Sequence, residues 1–481
     1  MTRAHAPGLA GRLTAAAEDM PAARVPDDLW RRGRRRHRTR RALRVAAAAA
    51  VVLLVALTAF AGGRWDRQAV PAAPGATVPG RLHQPWPWQA SVAGDPRGPA
   101  AVLVSGGGTF QTLDTPGTFG SLIGVVGRDG SYRMLRYGYT YLQAGQDVLL
   151  SPDGRYVAGH GTYEHLISSA DGTVSVVDLS TGKERRYPGA DVVDPVAWSP
   201  DGRRLLINRY VGYQPAAAGN SEAFDGHDTT TFDSGALWLL DLDSGATTRL
   251  LDIGRAVPGP AAFAPDGRTV AVQLGRDVTL VDVATGARRV LTTLPAGARL
   301  GGAGAYTADG AGLGVFTVVA GCTADCTNTA RNARSWRLTV LSSATGAPGA
   351  TFATFGGASA KLAGWQRDGT AVVVRYVDET SPYEDPAYSP PDAYREVSDV
   401  DLLALDPRGG TKPLLDKPTG IVWDLDVAAD LVAAGAFGGP SPAPGVFPLA
   451  RWFAATLLVL GCAVTAAGWL NVVLVRRRRR A

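Results

Sequence analysis

The sequence predicts an all-β fold, a six-bladed β-propeller flanked by two transmembrane helices, with a seven-bladed ring as the alternative. Three observations lead to this prediction. A short apolar run, an Asp-Gly turn and a second apolar run recur five times along the chain. A second pattern, an apolar run followed by Asp, two residues, Thr or Ser, and Gly, alternates with the first. Near each end of the chain lies a long segment without charged residues.

The five Asp-Gly turns mark five repeats of one structural unit. They lie at Asp153, Asp201, Asp266, Asp309 and Asp368. Gly supplies the backbone conformation that a tight hairpin requires, and the flanking β-branched residues favour strands. Each unit therefore consists of strand A, an Asp-Gly turn, strand B, a connection, strand C, a Thr-Gly turn and strand D. Four antiparallel strands per repeat form one blade of a β-propeller.

The repeat resembles that of a known family. Ser-Pro-Asp-Gly-Arg, as at 199–203, followed by a strand and then by Val-Asp-x-x-Thr-Gly, as at 281–286, resembles the WD40-like repeat of TolB-type propellers. The resemblance covers residues 100–437. It implies the fold and says little about activity, because function lies in sites that are added to a fold. Arginine outnumbers lysine 45 to 4, a composition that resembles actinobacterial proteins.

The remainders at the two ends of the repeat array predict how the ring closes. Five complete units run from 144 to 418. Residues 421–434 have the pattern of strands A and B alone, and residues 121–135 have the pattern of strands C and D alone. Joined, they would make a sixth blade with strands from both ends, and closure would leave no exposed sheet edge. A seventh blade would need strands from residues 100–110 and elsewhere.

The two uncharged segments predict the topology. Residues 45–63 and 452–475 contain 19 and 24 residues, and at about 1.5 Å per residue both can cross a hydrocarbon core of ~30 Å. Arginines crowd the outer flank of each segment, in the arm 1–44 and the tail 476–481. By the positive-inside rule both termini are cytoplasmic, and the propeller lies outside a bacterial cell membrane.

Residues 64–99 and 438–451 are rich in Pro, Gly and Ala, and we interpret them as extended stalks between the membrane and the propeller. One alternative concerns the first apolar segment. Thr39-Arg-Arg-Ala-Leu43 partly resembles a twin-arginine export signal, and cleavage could follow Ala61.

Net positive charge is confined to the two ends of the chain. The first 44 residues carry 12 arginines and 4 acidic residues, and the tail adds five arginines, whereas the whole chain has a formal net charge of +6. The central part is therefore acidic. This distribution argues against a nucleic-acid partner for the propeller, and it favours the membrane as the partner of the two basic ends.

The sequence contains no motif for a serine hydrolase, a zinc protease or a phosphate-binding loop. We therefore predict no catalytic residues, no cofactor and no metal ligands, and a protein that is not an enzyme. Cys322 and Cys326 lie four positions apart in the exported part, where disulfides persist, and a disulfide is the favoured interpretation. Two cysteines alone would supply half of a zinc site.

The B–C connections predict where a ligand binds. They are long in four of the five complete units, at 159–172, 211–235, 320–335 and 377–397, and short at 275–277. Insertions gathered on one face of a repeat protein often mark its binding face. Their aromatic and acidic residues suit a polar, cationic or carbohydrate partner. The candidate binding residues are Tyr376, Tyr383, Tyr388, Tyr394, Asp385, Asp225, Asp228, His160 and His165.

These observations together predict a membrane-anchored, extracytoplasmic propeller that binds or senses an unknown ligand or protein without catalysis. The first alternative is a transmembrane regulator of the anti-sigma type, in which binding outside alters the contact of the arm 1–44 with a cytoplasmic protein. The second alternative is a hydrolase or lyase with its site in the propeller channel.

Overall fold

Strands dominate the part of the chain that the computed structural model describes, which comprises residues 75–85, 89–106, 111–115, 118–137, 143–160, 173–188, 192–211, 234–254, 260–323, 326–380, 397–420, 422–441 and 444. Two helices and 28 strands occur within these residues. In chain order they are β1 (Arg81–His83), β2 (Ala100–Gly106), β3 (Gln111–Thr115), β4 (Thr118–Gly127), β5 (Tyr132–Tyr137), β6 (Val148–Leu150), β7 (Tyr156–His160), β8 (Val174–Asp178), β9 (Lys183–Tyr187), β10 (Val192–Trp198), β11 (Arg204–Val211), β12 (Ser234–Asp241), β13 (Thr247–Gly254), β14 (Ala261–Phe263), β15 (Thr269–Leu274), β16 (Asp277–Asp282), β17 (Arg288–Thr293), β18 (Ala298–Leu300), β19 (Gly312–Ala320), α1 (Asn328–Asn332), β20 (Ser335–Ser342), β21 (Pro348–Thr351), β22 (Phe355–Gly356), β23 (Ser359–Trp365), β24 (Ala371–Asp378), β25 (Val397–Leu405), β26 (Thr411–Pro413), β27 (Asp416–Thr419), β28 (Val422–Val427) and α2 (Ala429–Ala434).

Six sheets of antiparallel strands form the blades, which confirms the predicted six-bladed propeller. Blade 1 contains β6–β9, blade 2 β10–β13, blade 3 β14–β17, blade 4 β18–β21 and blade 5 β23–β26, each with its strands in sequence order. Strand β22 pairs with β20 beside blade 4. Blade 6 has the order β28-β2-β4-β5, and β3 also pairs with β4.

The core lies between adjacent blades, because each sheet is covered on both of its faces. Successive residues of a strand point to opposite faces. In β11, Leu206 packs in one cluster with Val272 of blade 3, whereas Ile207 packs in another with Ala158 of blade 1. Comparable clusters join the other blades in turn, and the largest one joins blades 5, 6 and 1. Both sides of a blade therefore select apolar residues.

The Asp-Gly turns form as predicted, and the neighbouring Ser or Thr explains their chemistry. The Ser199 hydroxyl donates to Asp201 Oδ1 and accepts from the Arg204 amide, while Asp201 Oδ1 also accepts from the Arg203 amide. Gly202 completes the turn with φ = 67°. The same set of bonds recurs at Ser151 and Thr307. The motif thus closes its own hairpin with side-chain hydrogen bonds to the backbone.

Ring closure differs from the prediction in its strand assignment. Residues 422–427 do form strand A of blade 6, but residues 429–434 form α2 and not strand B. Gly435 ends this helix in the left-handed conformation, with φ = 63°. Strand B is instead β2, which pairs with β28, and all seven of its residues are buried. Because both faces of β2 are covered, it shows no alternating pattern in the sequence.

The segment 64–99 is not a free stalk in its described part. Val78, Leu82 and Val92 are all 0% exposed. Strand β1 pairs in parallel with β27, and Ser91 bridges in parallel to Met134 of β5. These apolar residues are few and widely spaced among Pro, Gly and Ala. The composition of the segment therefore suggested a stalk and gave no sign that the three residues are buried. The folded unit therefore begins well before residue 100.

The start of the second predicted stalk, 438–451, is also part of the folded unit. Gly439 forms a parallel bridge with Pro79, and the Ser441 hydroxyl accepts a hydrogen bond from the Arg81 amide over 2.7 Å. The two ends of the propeller unit therefore run side by side at one place on the ring, as closure by strands from both ends requires.

The described residues fall within one compact unit, Arg67–Pro448. No helix among them is long and apolar enough to cross a membrane. Both predicted transmembrane segments, 45–63 and 452–475, lie outside the described residues, as do the arm 1–44 and the tail 476–481.

Candidate functional site

The two faces of the propeller carry different connections. On one side, here called the turn face, lie the A–B and C–D turns, which are short in blades 1 to 5. The opposite side, here called the insertion face, carries the B–C and D–A connections. Long B–C connections leave from His160, Val211, Ala320 and Asp378, at the ends of β7, β11, β19 and β24. Their positions agree with the predicted insertions to within two residues.

Most of the candidate binding residues lie outside the described residues. His160 is the last residue of β7, and only its backbone is described. Tyr376 was predicted in a binding loop, but it lies within β24 and is 0% exposed, because its side chain fills the core beside blade 6. The candidates outside the described residues are Tyr383, Tyr388, Tyr394, Asp385, Asp225, Asp228 and His165.

The insertion of blade 4 is built as a small platform, here called the blade-4 platform (residues 321–334). Cys322 and Cys326 are joined by a disulfide with an S–S distance of 2.03 Å. Helix α1 follows directly, and the Thr327 hydroxyl caps it by accepting from the Ala330 amide over 3.1 Å. The disulfide and the cap act within a few residues, so they define the shape of the platform locally.

A buried ion pair and three partly buried hydrogen bonds join the blade-4 platform to blade 5. Arg331 Nε and Asp378 Oδ2 form an ion pair at 2.7 Å, and the two side chains are 2% and 4% exposed. Asn332 Nδ2 donates to the Asp378 carbonyl over 2.9 Å, and Asn332 Oδ1 accepts from the Asp378 amide over 2.8 Å. Asn328 Nδ2 donates to the Glu379 carbonyl over 2.8 Å. The platform thus holds the first residues of the blade-5 insertion.

Arg334 connects the disulfide to the base of blade 5. Its guanidinium donates to the Cys322 carbonyl over 2.7 Å, to the Ala358 carbonyl over 3.0 Å and to Cys326 Sγ over 3.4 Å. It also lies 5.9 Å from the centre of the Trp336 ring. A cation in this position ties the platform to the strands beneath it.

A second polar cluster surrounds Asp424 on β28, the innermost strand of blade 6, and the innermost strands line the central channel of a propeller. Asp424 of β28 is 0% exposed, and its Oδ1 accepts from Lys361 Nζ and from the Tyr376 hydroxyl, both over 2.7 Å. Its Oδ2 accepts from Gln146 Nε2 over 2.8 Å. Since Lys361 belongs to blade 5 and Gln146 precedes blade 1, Asp424 ties the closing strand to both neighbours. We call these four residues with Asp426 the channel cluster.

Asp426 is a member of this cluster with a strongly shifted pKa. Burial raises its pKa from 3.8 to about 6, against the opposing effects of the Lys361 charge and of the hydrogen bond from the Leu150 amide. That hydrogen bond to Oδ2 is 2.8 Å long. The residue remains partly exposed. A carboxyl group with a pKa near 6 in a channel is suited to proton transfer or to pairing with a cation.

Sequence reasoning missed both clusters. Asn328, Arg331 and Asn332 were treated as loop residues, although a Thr followed by a short helical segment is a capping signal. Asp424 and Asp426 alternate with apolar residues in a predicted strand, and two carboxylates on the same face of such a strand are an unusual pattern that the sequence does show. No group of three or more His, Cys, Asp and Glu side chains within the described ranges could hold a metal ion.

Known structures share the propeller fold with this chain. No protein-family model matches it, and no curated protein matches it. An oligogalacturonate lyase in complex with manganese is 17% identical with a TM-score of 0.38, over 71% of this chain and 86% of the lyase. TolB from Acinetobacter baumannii is 12% identical with a TM-score of 0.32, over 62% and 66%. The similarity at these values describes the fold alone.

The comparisons correct one prediction. We expected a protein that is not an enzyme, but the propellers similar to this chain include enzymes, the oligogalacturonate lyases among them. Lack of a familiar catalytic motif is therefore not a valid reason to exclude catalysis for this fold. The physical reason is that a propeller can collect reactive groups from several blades around one channel, where no sequence motif joins them.

Proposed function

We propose that the propeller binds a polar or cationic ligand, or a protein, on its insertion face. The observation that carries this proposal is the blade-4 platform. A loop that had grown long without a function is not expected to form a buried ion pair and three asparagine hydrogen bonds with the neighbouring blade. Contacts of this kind hold a binding surface in one shape before the ligand arrives, which reduces the entropy lost on binding.

The negative charge of the blade-5 insertion supports a polar or cationic ligand. The blade-5 insertion begins at Asp378 and Glu379, and its sequence to residue 397 contains six acidic residues and one arginine. Three tyrosines, Tyr383, Tyr388 and Tyr394, lie in the same stretch. Carboxylates attract cationic groups, and aromatic faces bind cations or sugar rings. Arg331 of the blade-4 platform pairs with Asp378, so five acidic residues of this stretch remain against the single Arg395, and the insertion stays acidic.

We further propose that the protein is anchored in a bacterial membrane by 45–63 and 452–475, with the propeller outside. The paired ends of the propeller unit support a double tether, because Pro79 and Gly439 lie side by side. Proteolysis of intact cells tests this arrangement. Cleavage within the propeller by an external protease is expected, and full protection of the propeller would contradict it.

Binding is tested with the full-length protein in detergent on arrays of glycans and of basic peptides. A variant in which residues 381–396 are replaced by a Gly-Ser linker of equal length keeps the roots of the loop and should lose binding at least tenfold. Arg268→Ala and Arg408→Ala on the turn face serve as matched controls and should bind like the unaltered protein. Equal binding by the linker variant would refute the proposed face.

A second candidate function is acid–base chemistry in the channel, and Asp426 with a pKa of about 6 beside Lys361 favours it. The same arrays can be eluted and examined by mass spectrometry for cleaved or altered compounds. If the channel is reactive, Asp426→Asn should reduce turnover at least a hundredfold and leave retention of the compound intact. Turnover that survives this substitution would rule the candidate out.

A further inference from the structure

We propose that a cavity on the turn face, between blade 5 and the segment that follows α2, binds a small zwitterion of the α-amino acid class. The cavity, here called the exit cavity, has a volume of about 450 Å³. This volume lies within the range of about 300–1,000 Å³ that is usual for small-molecule sites. The exit cavity is on the opposite side of the propeller from the insertions, so its ligand is independent of the one proposed for the insertion face.

The exit cavity is a consequence of the way in which the ring closes. In blades 1 to 5 a turn joins strand A to strand B, whereas in blade 6 strand A is followed by α2. This helix packs beside the A–B turn of blade 5, where the Arg367 amide donates to the Ala433 carbonyl over 3.3 Å. The chain then continues through Gly435 and Phe437, which line the cavity together with the two turns of blade 5 and strand β26.

Lys412 brings a positive charge to an apolar part of the exit cavity. It pairs with Ala404 across strands β25 and β26, so both side chains lie on the same face of blade 5, and Leu414 follows on that face. Leu414 and Phe437 pack on the cluster that joins blades 5, 6 and 1, and all four residues line the cavity. The Lys412 ammonium group is exposed and forms no ion pair or hydrogen bond with any residue that the structure describes.

Asp406 brings a negative charge, and the sequence of its turn leaves the carboxylate available. In the C–D turn of blade 3, the Thr285 hydroxyl donates to Asp282 three positions earlier. Blade 5 has Gly409 at the corresponding position, and among the described donors only the Arg408 amide binds the Asp406 carboxylate, over 2.7 Å. A Cβ on Gly409 would meet nothing within 4 Å. The turn therefore leaves open space where the other blade has a hydroxyl group.

The two opposite charges define the class of ligand. Lys412 and Asp406 line one cavity, and within the described part of the chain they do not pair with each other. A ligand that carries both a carboxylate and an ammonium group satisfies both side chains through charge-assisted hydrogen bonds. The Gln366 side chain, which also lines the cavity, offers a neutral donor and acceptor. Since the floor of the cavity is apolar, the ligand that fits best is an amino acid with an apolar side chain, such as leucine.

Binding is tested by isothermal titration calorimetry of the full-length protein in detergent with leucine, leucinamide and N-acetylleucine. Leucinamide lacks the carboxylate and N-acetylleucine lacks the ammonium group, whereas all three compounds have the same side chain. Each of the two derivatives should bind about tenfold more weakly than leucine or worse, because one charge-assisted hydrogen bond is lost. Equal affinity for the three compounds, or no binding of leucine, would overturn the proposal.

Two substitutions assign the two ends of the ligand. Lys412→Met should abolish the preference for leucine over leucinamide and keep the preference over N-acetylleucine, and Asp406→Asn should do the reverse. Lys183→Met is the matched control, because Lys183 is an exposed lysine on the outer strand of blade 1 and should not affect binding. Unchanged preferences in Lys412→Met would refute the site. If a variant fails to fold, the three compounds on the unaltered protein still decide the class of ligand.

The linker variant of residues 381–396 separates the exit cavity from the insertion face. This variant should bind leucine like the unaltered protein, and Lys412→Met should behave like the unaltered protein on the glycan and peptide arrays. Loss of leucine binding in the linker variant would place the amino acid on the insertion face and overturn the exit cavity as its site. Failure of one proposal is therefore distinguishable from failure of the other.

Discussion

On the turn face, each Asp-Gly hairpin is closed by hydrogen bonds between residues at most five positions apart, as between Ser199 and Arg204. On the insertion face, Asn332 and Asp378 join two blades across 46 positions. The structure of the turn face is therefore determined by contacts between residues close in sequence. The structure of the insertion face depends instead on contacts between blades 4 and 5. Substitutions on the two faces should therefore differ in how much stability they remove; three predictions concern the two faces, and one concerns the channel cluster.

The largest effect is expected from Asp378→Ala on the insertion face. This substitution leaves the buried Arg331 guanidinium without its ion pair, and removal of one partner of such a pair costs about 3–5 kcal/mol. Urea unfolding measures the loss. Asp243→Ala on the turn face is the matched control, since its pair with Arg203 is well exposed and should change stability by less than about 1 kcal/mol. Equal losses would refute the contrast between the faces.

The next effect separates two glycines of the turn face. Gly154 and Gly202 have φ = 69° and 67°. A Cβ on Gly154 would overlap the Ala100 carbonyl oxygen, whereas a Cβ on Gly202 would meet nothing within 4 Å. Gly202→Ala should cost about 1–2 kcal/mol from backbone strain alone, and Gly154→Ala about 1–2 kcal/mol more, because a backbone must move. Thermal unfolding measures the loss of stability in both variants. A smaller loss for Gly154→Ala than for Gly202→Ala would show that the backbone at Ala100 moves aside at little cost.

Asp426→Asn is expected to stabilise the protein in a pH-dependent manner. Its folded pKa of about 6 lies above the ordinary 3.8, so the proton it holds favours folding below pH 4, and this contribution is lost as the pH rises through 6. At pH 7.5 the substitution should add roughly 2 kcal/mol, since one pKa unit corresponds to about 1.4 kcal/mol and relaxation reduces the full value. At pH 4 the gain should vanish. A gain that is equal at both pH values would contradict the role of ionisation.

The smallest effect is expected from Asp309→Ala in the turn of blade 4. Hydrogen bonds from the Thr307 hydroxyl and the Ala311 amide lower the pKa of Asp309, so its stabilisation is present above pH 4 and is lost as the pH falls through the lowered pKa. Loss of these exposed bonds should cost about 0.5–1 kcal/mol at pH 7. Urea unfolding at pH 7 and at pH 2.5 gives the comparison. A cost that does not decrease between pH 7 and pH 2.5 would point to a cause other than the carboxylate.

Much of the fold could be predicted because each turn is determined by residues within the turn itself. The Ser199 hydroxyl donates to Asp201, and Gly202 adopts the positive φ that the turn needs. The same short sequence therefore forms the same hairpin wherever it occurs. The positions of the insertions followed from counting between these turns. Prediction failed at strand β2, because both of its faces are buried and its sequence does not alternate between apolar and polar residues. It also failed at Val78 and Leu82, because these buried residues lie in a Pro-rich segment without an alternating pattern.

The sequence predicted where the long connections lie, but it did not predict which residues hold them against the neighbouring blades. The asparagines of α1 act only because β24 ends beside them, and Asp424 acts only because Lys361 and Gln146 arrive from the two neighbouring blades. Tyr376 shows the converse, since a tyrosine assigned to a loop by its neighbours proved to be a core residue bound to Asp424.

By itself, the sequence determined the blade repeat, the short turns and the face on which the chain is elongated, because these depend on contacts within a few residues. Only the tertiary structure decided which strand closes the ring, where the chain ends pack, and which side chains meet in the blade-4 platform and the channel cluster. Such contacts reach from 46 positions, between Asn332 and Asp378, to 360 positions, between Arg81 and Ser441. Their energy arises from burial and pairing that exist once the blades are assembled, so no local pattern records them.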